Sequence, residues 1–488
     1  MQPSKNLIFF QSDNHSRLYL GCYGNPIVKT PNLDKLAARG VIFKNAYAAS
    51  ALCCPARAAI ACGRYPHQTG YWDNAIVYDG TSTSWMKRVR DQGVNITNIG
   101  KLHYRSTEDD NGFSQEIDPM HILNGKGGVS MLLRGIDDEP ENVGQRELYT
   151  KKSGIGQTEY QDFDKVISDK AINWLKNDRP AKDPWALHVS FVSPHPPFSV
   201  PERFWNLYPL DEMPLPPASL PETHPHHPAV DHLRKTMRWG DLSELELQKI
   251  VAGYMALITH MDEQLGRVLD VAEDLGLLED TLILYTSDHG EMAGSHGLLG
   301  KCNLYEGSIG VPLIMAGPNI PAGNVITENV SHVDLFPTLI EALSKEFRDE
   351  DNDLPGRSLW PAINGNNRHR QVFAEYHAAG SFAGGFMLRV GDLKLIYHAE
   401  MEPQLFDLDS DPDELNDLAG NTEHRKILDQ MIADLSLICD AETVNSQAKG
   451  DQRAMLEKWG GAEAVRAEGM LVYTPPPGAI ADIQGKLV

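Results

Sequence analysis

The sequence predicts an α/β protein with a large, mainly parallel sheet flanked by helices, followed by a smaller α+β domain with an antiparallel sheet. In the first part of the chain, strand-length apolar runs alternate with helix-length runs, a pattern typical of a parallel sheet. Polar clusters follow several of these strands directly, where ligand sites of such sheets lie. The pattern changes after about residue 370, so we expect domains over 1–370 and 371–470 and an extended tail over 471–488.

The elements of the large domain are predicted from hydrophobic periodicity and from capping signals. Apolar runs predict strands at residues 7–11, 41–43, 95–99, 185–192, 281–285 and 311–315. Helical spacing predicts helices at residues 33–39, 243–276 and 334–343. The second of these helices has the strongest periodicity, because Tyr254, Leu257 and Met261 recur on one face.

The smaller domain begins with a predicted hairpin, formed by residues 386–390 and 393–397 around a Gly-Asp turn. The segment 405–408 follows, then a turn-rich acidic loop at 409–413 and a predicted helix at about 423–438. The tail contains three consecutive prolines, which favour an extended backbone. Packing of this tail on a second subunit of a homo-oligomer is left open.

Two polar segments rich in glycine and proline, residues 105–160 and 199–240, interrupt the α/β pattern. We expect them at the rim of a pocket, and the sequence does not predict how they fold. The second segment contains a group of histidines, at positions 224, 226, 227 and 232. Their spacing fits no metal motif, so we interpret them as an exposed loop.

Composition excludes several classes of partner. The chain has 488 residues and a formal net charge of −23, which argues against nucleic acid or an anionic membrane surface as a partner. An anionic substrate would need a local basic pocket. Six scattered cysteines do not form a disulfide framework. We find no signal-peptide core and no apolar stretch of membrane-spanning length, so a cytoplasmic protein is expected.

The most informative motif is C-x-P-x-R, formed by Cys53, Pro55 and Arg57. Proline is tolerated in the first turn of a helix, and the alanine-rich run that follows favours helix. Cys53 is therefore placed at a helix N-terminus, where free amides favour an anion. The ordinary interpretation of a free cysteine is a small buried hydrophobe, and we assign that role to Cys54 and Cys62.

Three side chains in strand-end positions make a plausible metal site. Asp13 follows the first strand, and Asp288 with His289 follows the strand at 281–285. Two carboxylates and an imidazole suit Mn²⁺, Ca²⁺ or Zn²⁺, and the imidazole favours Mn²⁺ over Ca²⁺. Taken singly, each of these residues is more often a capping or surface group. Together with Cys53 they indicate a site.

Cationic side chains occupy similar positions. They are Arg57, Lys101, His103, His195 and Lys301. Such groups can hold a tetrahedral oxyanion and protonate a leaving oxygen. Taken alone, each histidine is as easily a loop residue with a local partner, and each lysine is a solvated surface charge.

Several separate segments resemble the signatures of the formylglycine-dependent sulfatases, within the alkaline-phosphatase-like superfamily. The segments are residues 53–57 with 63–64, 93–103, 287–291 with 300–308, and 405–414. Their order and spacing extend the resemblance over roughly residues 5–420, in discontinuous blocks. The resemblance implies an alkaline-phosphatase-like sandwich fold with the catalytic domain in residues 1–370.

The resemblance also implies a mechanism. Cys53 would be oxidised by a formylglycine-generating enzyme to formylglycine (3-oxoalanine), whose hydrate attacks the sulfur of a small-molecule sulfate ester. One divalent ion, Mn²⁺ or Ca²⁺, would be bound by position 53 together with Asp13, Asp288 and His289. The proton for the leaving alcohol would come from His195 or Lys301. The covalent sulfate would then be eliminated.

The resemblance further implies that His103 is the base of the elimination step. Arg57 and Lys101 would hold the hydrate and the sulfuryl oxygens, and Asp288 would also take the proton of the nucleophile. Asn74 resembles the asparagine that binds the substrate oxyanion.

The chain departs from many sulfatases at the metal site. Asn14 follows Asp13, and His289 follows Asp288, which is similar to the branch of phosphonate monoester hydrolases and choline-sulfatase-like enzymes. This pattern favours three residues in the metal shell and leaves Asn14 out. Trp72 and the 105–160 segment are the expected contacts of the alcohol.

We therefore expect sulfate monoester hydrolysis by S–O cleavage. Lys101 and His103 favour it, because phosphonate monoester hydrolases carry neutral hydroxyl residues there. The alternative is a phosphonate monoester hydrolase or phosphodiesterase that uses the same site. A non-catalytic anion-binding protein would keep Cys53 unmodified, and a thiol redox protein would leave Asp13 and Asp288 unexplained.

Overall fold

The secondary structure is taken from a computed structural model, which describes residues 4–135, 143–366, 370–469 and 473–479. The strands are, in chain order, β1 Asn6–Ser12, β2 Val41–Tyr47, β3 Asn95–Lys101, β4 Gln115–Met120, β5 Gly154–Ile155, β6 Trp185–Ser190, β7 Ser199–Val200, β8 Thr281–Ser287, β9 Gly310–Val311, β10 Leu313–Ala316, β11 Asn324–Ser331, β12 Gln371–Tyr376, β13 Gly385–Val390, β14 Leu393–His398 and β15 Gln404–Asp407.

The α-helices alternate with these strands and are given in the same order. They are α1 Pro31–Ala38, α2 Cys53–Cys62, α3 Pro66–Thr69, α4 Trp85–Arg90, α5 Val143–Thr150, α6 Glu159–Asn173, α7 Glu202–Trp205, α8 Pro228–Met237, α9 Glu244–Asp274, α10 Glu306–Ile309, α11 Leu335–Ala342, α12 Trp360–Ile363, α13 Arg425–Ser436, α14 Ala441–Lys458 and α15 Gly461–Glu468.

The large sheet has the strand order β11-β2-β10-β8-β1-β6-β3-β4, with β9 paired to β2. Among its pairs, those made by β9 and β10 are antiparallel and the others are parallel. Alternate residues of β1 enter two different cores: Ile8 and Phe10 pack with α1, α6 and α9, whereas Leu7 and Phe9 pack with α2, α4 and α11. Burial on both faces is typical of a parallel sheet. The predicted α/β class is confirmed.

The register of the central strands positions the polar clusters that follow them. Ser12 at the end of β1 pairs with Ser287 at the end of β8. The next residues are Asp13 and Asp288, so the two carboxylates start from adjacent points on one sheet edge. On the other side of β1, β6 and β3 end at the same edge.

A separate antiparallel sheet, β12-β13-β14-β15, forms after residue 370 and contains the predicted hairpin. It is tied to the large domain by Lys394, which has no solvent exposure. Its Nζ lies 2.8 Å from Glu306 Oε1 and 2.7 Å from Glu414 Oε1. Unpaired, such a charge would be costly to bury. The domain boundary at 370 stays a prediction.

The strand predicted at 311–315 is wrong in detail. The predicted strand is interrupted at Pro312, because proline has no N–H to donate to a sheet ladder. The two parts are β9 and β10, and β10 runs antiparallel to both β2 and β8. The two polar insertions also contain more regular structure than expected. They contribute the edge strand β4, the short strands β5 and β7, the helices α5, α7 and α8, and the first two residues of α6.

The interpretation of the histidine group as an exposed loop is corrected for two of its members. His232 lies within α8, and His227 is the N-cap of that helix. His227 is buried and its Nδ1 accepts a hydrogen bond from the Ala229 amide at 3.3 Å. A side-chain acceptor at the N-cap satisfies a free amide of the first turn, so His227 stabilises the start of α8.

The tail is described only for residues 473–479, and its last part, residues 480–488, lies outside the described residues. Tyr473 and Thr474 are buried against the same chain. Homo-oligomer formation stays a prediction. Within the described ranges, no helix combines the length and the apolar character needed to cross a bilayer.

We predict that Gly100→Ala destabilises the fold more than Gly93→Ala does. Both glycines have positive φ, +97° and +88°, which costs an alanine about 1–2 kcal/mol. A Cβ at position 100 would lie 2.3 Å from the Ser190 carbonyl oxygen, whereas a Cβ at position 93 meets nothing within 4 Å. Because β3 and β6 approach closely at this point, we expect Gly100→Ala to lose about 1–3 kcal/mol more of the free energy of unfolding than Gly93→Ala. Urea unfolding of both variants measures the difference. Equal losses in the free energy of unfolding would contradict the prediction.

Candidate active site

Cys53 occupies the first residue of α2, as the C-x-P-x-R motif predicts. Leu52 is the N-cap, and it provides no side-chain cap for the free amides of the first turn. All ten residues of α2 are buried, so the helix points its N-terminus into the protein and toward the carboxyl ends of β1 and β8. This placement favours an anionic group at position 53.

Four predicted metal-site residues meet at this point. The potential ligand atoms of Asp13, Cys53, Asp288 and His289 all lie within 4.8 Å of one another. Cys53 Sγ is 3.1 Å from His289 Nε2 and 3.9 Å from Asp13 Oδ1. Asp13 follows β1, Cys53 begins α2, and Asp288 and His289 follow β8; all four side chains are buried. It is the one such cluster found in the described residues.

Each carboxylate uses one oxygen for a cation and leaves the other for the centre of the cluster. Arg57 Nε lies 2.8 Å from Asp288 Oδ2, and Arg57 Nη2 lies 3.1 Å from Asp13 Oδ2. Lys101 Nζ is 2.7 Å from the same Asp13 oxygen. The Oδ1 atoms of Asp13 and Asp288 lie 4.0 and 3.6 Å from His289 Nε2.

These cations act on the two carboxyl groups to different degrees. Burial opposes ionisation of Asp13, but Lys101, with help from His195 and Arg57, holds its pKa well below the usual range. Burial and the neighbouring Asp13 raise the pKa of Asp288 to about 6. A divalent cation would remove the repulsion between the two carboxylates and favour the ionised form of both.

His289 is oriented to donate a lone pair. Its Nδ1 lies 3.0 Å from the Gly290 carbonyl oxygen, and because a carbonyl only accepts, Nδ1 carries the proton. Burial lowers the pKa of His289, so the ring is neutral and Nε2 is an acceptor facing Cys53. Metal-bound histidines are held in this way by a hydrogen bond on the other nitrogen.

The remaining predicted residues line the pocket that opens from Cys53. They are Asn74, Lys101, His103, His195 and Lys301. Arg57 lies behind the carboxylates, where its Nη1 also donates to Ser190 Oγ at 3.0 Å. Asn74 Oδ1 accepts a hydrogen bond from the Cys54 amide at 3.2 Å, which leaves the Asn74 amide nitrogen available as a donor next to the helix N-terminus.

His195 and Lys301 carry different charges at neutral pH. Burial and the nearby Lys301 lower the pKa of His195 well below its usual value. Its Nδ1 donates to the Pro196 carbonyl oxygen at 2.8 Å, which leaves Nε2 as an acceptor. Burial opposes the charge of Lys301, but Cys53, Asp13 and Asp288 raise its pKa above the ordinary value, so it stays an ammonium group.

Two buried carboxylates support the site and were not assigned a role from the sequence. Asp164 accepts hydrogen bonds from the Val192 and Ser193 amides at 2.7 and 3.0 Å, which fixes the turn that carries His195. Glu291 accepts from Asn14 Nδ2 at 2.5 Å. The other side-chain atom of Asn14, Oδ1, lies 3.5 Å from Lys301 Nζ, and the exclusion of Asn14 from the metal shell stays a prediction. The helical spacing of α6 could have revealed Asp164.

Trp72 does not contact the pocket, contrary to expectation. It is buried, and its Nε1 donates to Asp451 at 2.8 Å, so it packs against the C-terminal helices. The pocket instead has an aromatic wall beside His195, whose ring centroid lies 5.8 Å from that of Tyr160. The wall is formed by Tyr149, Tyr160, Trp239 and Tyr473, the first three from the polar insertions predicted at the rim.

Comparison with known proteins agrees with this geometry. The family model described as "Sulfatase" matches residues 5–345, and one described as "N-sulphoglucosamine sulphohydrolase, C-terminal" matches residues 294–440. The choline-sulfatase of Rhizobium meliloti (strain 1021) is 34% identical over 400 residues, covering 80% of this chain and 78% of that protein. Arylsulfatase K of Bos taurus is 30% identical over 458 residues, covering 88% and 81%.

Among solved structures, the phosphonate monoester hydrolase of Agrobacterium radiobacter superposes with a TM-score of 0.71 at 25% identity, over 92% of this chain and 96% of that one. The sulfatase model covers well over half of the chain, and the relatives extend across both sheets. The chain belongs to the sulfatase family and is a sulfuric ester hydrolase.

Proposed function

We propose that this chain cleaves the S–O bond of small-molecule sulfate monoesters, using formylglycine made from Cys53 and one divalent ion, Mn²⁺ or Ca²⁺. The observation that carries the proposal is the contact of Cys53 Sγ with His289 Nε2 at 3.1 Å, inside a group of four ligand atoms within 4.8 Å. A cysteine at a helix N-terminus and beside a metal-type donor set is placed for nucleophilic chemistry.

The donor set fits a hard or borderline divalent ion. Asp13 Oδ1, Asp288 Oδ1 and His289 Nε2 would hold it, together with an oxygen at position 53. Such an ion supplies positive charge that favours an ionised oxygen beside it. The imidazole favours Mn²⁺ over Ca²⁺. The salt bridges of Arg57 and Lys101 keep the carboxylates in position.

Formylglycine at position 53 supplies a hydrated aldehyde, an oxygen nucleophile with a second hydroxyl group. Arg57, behind the two carboxylates, would help hold it, and Asp288 would take its proton. Around it, Lys101, Lys301 and Asn74 present donors to the pocket, and we assign them to the sulfuryl oxygens. Preorganised donors of this kind stabilise the charge that develops in transfer of a tetrahedral anion.

Further proton transfers are assigned to Lys301, His195 and His103. Lys301, which keeps its ammonium form, delivers a proton to the leaving alcohol oxygen. His195 is neutral with Nε2 as an acceptor, so it would have to take up a proton before it could fill the same role. His103, whose pKa is lowered by burial and by Lys101, is neutral and serves as a base. We assign binding of the alcohol part of the substrate to the aromatic wall of the pocket.

The names of the relatives make choline sulfate and aryl sulfates sensible probes. A formylglycine-generating enzyme is the maturation partner that the proposal requires. Hydrolysis of phosphonate monoesters is the second candidate, because the Agrobacterium radiobacter enzyme named for that activity superposes over 92% of this chain.

A substrate pair separates the two candidates. We expect kcat/KM on an aryl sulfate to exceed that on the aryl phosphonate ester with the same leaving group, because Lys101 and His103 stand where, by the resemblance described above, phosphonate monoester hydrolases carry neutral hydroxyl residues. Steady-state kinetics on metal-replete enzyme measures the ratio. A higher kcat/KM on the phosphonate ester would contradict the sulfatase proposal and favour phosphonate monoester hydrolysis.

We predict that Cys53→Ala abolishes turnover, whereas Cys54→Ala retains it. Both residues are buried in the first turn of α2, but Cys54 lies outside the metal group, so the pair separates chemistry from packing. Mass spectrometry of the tryptic peptide gives an independent result: the peptide should carry an aldehyde at position 53 when the protein is made with the maturation enzyme.

An intact Cys53 thiol in protein from its native host would contradict the proposed nucleophile. Sulfate binding without turnover in that sample would favour the non-catalytic anion-binding alternative.

We predict that Asp288→Asn weakens divalent ion binding by at least about 100-fold, because even partners outside the ligand shell are worth about 10–100-fold. Asp164→Asn is the matched control, since Asp164 is a buried carboxylate outside the ligand group. Calorimetric titration with Mn²⁺ and Ca²⁺ measures the affinities and ranks the two metals. Equal affinities for the two variants would exclude Asp288 as a ligand.

A further inference from the structure

The described part of the tail forms one side of the active-site pocket. Tyr473 and Thr474 both line it, and each is less than a tenth exposed. The segment is anchored by Tyr160, whose hydroxyl donates to the Thr474 carbonyl oxygen at 2.6 Å. The rings of Tyr160 and Tyr473 meet edge to face, with centroids 5.5 Å apart. Residues far apart in the chain are therefore held in a fixed relation at the pocket.

The side chain of Thr474 contacts His103. Its Oγ1 lies 2.8 Å from His103 Nε2. The other ring nitrogen, Nδ1, is buried and has no hydrogen-bond partner among the described residues. The backbone of His103 is held separately, by its amide donating to the Met120 carbonyl oxygen at 2.8 Å. The orientation of the ring therefore depends on Thr474.

The unpartnered Nδ1 also favours one tautomer. A neutral imidazole carries one proton, and a buried N–H without an acceptor costs more than a buried lone pair without a donor. The favoured arrangement is that Nε2–H donates to Thr474 Oγ1. It leaves a lone pair on Nδ1, which is what a general base needs.

We propose that Thr474 is a positioning residue for His103, so that the C-terminal segment is part of the active site. The inference rests on the role of His103 as a base in the function proposed above. Thr474 acts through the histidine in this scheme and makes no step of its own. Its hydroxyl fixes both the plane of the ring and the nitrogen that accepts a proton.

The first test does not require activity. Long-range ¹H–¹⁵N spectra of histidine-labelled protein with unmodified Cys53 report which ring nitrogen of His103 is protonated. We expect the Nε2–H form in the wild type and in Thr474→Ser, and a changed spectrum in Thr474→Val, which keeps the shape but loses the hydroxyl. A wild-type spectrum of the Nδ1–H form would overturn the proposal.

The second test uses mature enzyme and an aryl sulfate. We expect Thr474→Val to lower kcat by about 10–100-fold with KM changed much less, because a partner behind an active-site group typically has an effect of this size. Thr474→Ser should restore kcat. In a His103→Ala background, Thr474→Val should lower kcat no further, since the effects of two residues that act through one contact are not additive.

The outcomes separate the inference from the function on which it rests. If wild-type enzyme turns over and Thr474→Val matches it, or loses the same factor in the His103→Ala background, the positioning role is wrong. If mature wild-type enzyme does not turn over while the Nε2–H spectrum is present, the hydrogen bond is supported and the proposed function is overturned. Thermal unfolding of each variant controls for misfolding, and Thr474→Ser still tests the hydroxyl should Thr474→Val fail to fold.

Discussion

The site depends on Arg57, whose guanidinium group contacts two buried carboxylates at once, with Lys101 as the second cation on Asp13. Arg57 reaches both Asp13 and Asp288 from α2, and all three side chains are almost fully buried. Without that bridge, the parallel pairing of β1 and β8 would place two negative charges side by side in the interior, which is costly. Since Arg57 and Cys53 belong to the same helical turn, the contact that satisfies the carboxylates also fixes where position 53 lies.

The strand-end residues of the site could be predicted from the sequence because their positions follow from local rules. Asp13 and Asp288 each come directly after an apolar run of strand length, and parallel strands end at one edge of a sheet. Cys53 could be placed because proline and alanine after it signal the start of a helix. The geometry of these residues then required only that β1 and β8 be neighbours.

Other features depend on contacts that no local pattern encodes. The direction of β10 is set by the connection from β8 through residues 288–309, which returns the chain antiparallel to β8, and not by the residues of the strand. Helical spacing can place Asp164 on the buried face of α6, but it does not reveal that Asp164 accepts from the Val192 and Ser193 amides after β6. Thr474 meets His103 across 371 residues of sequence, and a proline-rich tail gives no sign that it packs inward. Trp72 is expected to contact the alcohol, yet its indole Nε1 donates to Asp451 on α14, a contact between residues 379 positions apart.

The ammonium group of Lys394 joins parts of the chain that the two sheets would otherwise keep apart. Glu306 lies on α10 next to the main sheet, whereas Lys394 and Glu414 lie in and just beyond the second sheet. Separating the two sheets would remove Glu306 from the fully buried ammonium group of Lys394. It would also expose the apolar side chains of α2 that pack against each sheet. The consequence is cooperativity: the two sheets should melt in a single transition, and neither would be expected to survive as an isolated fragment.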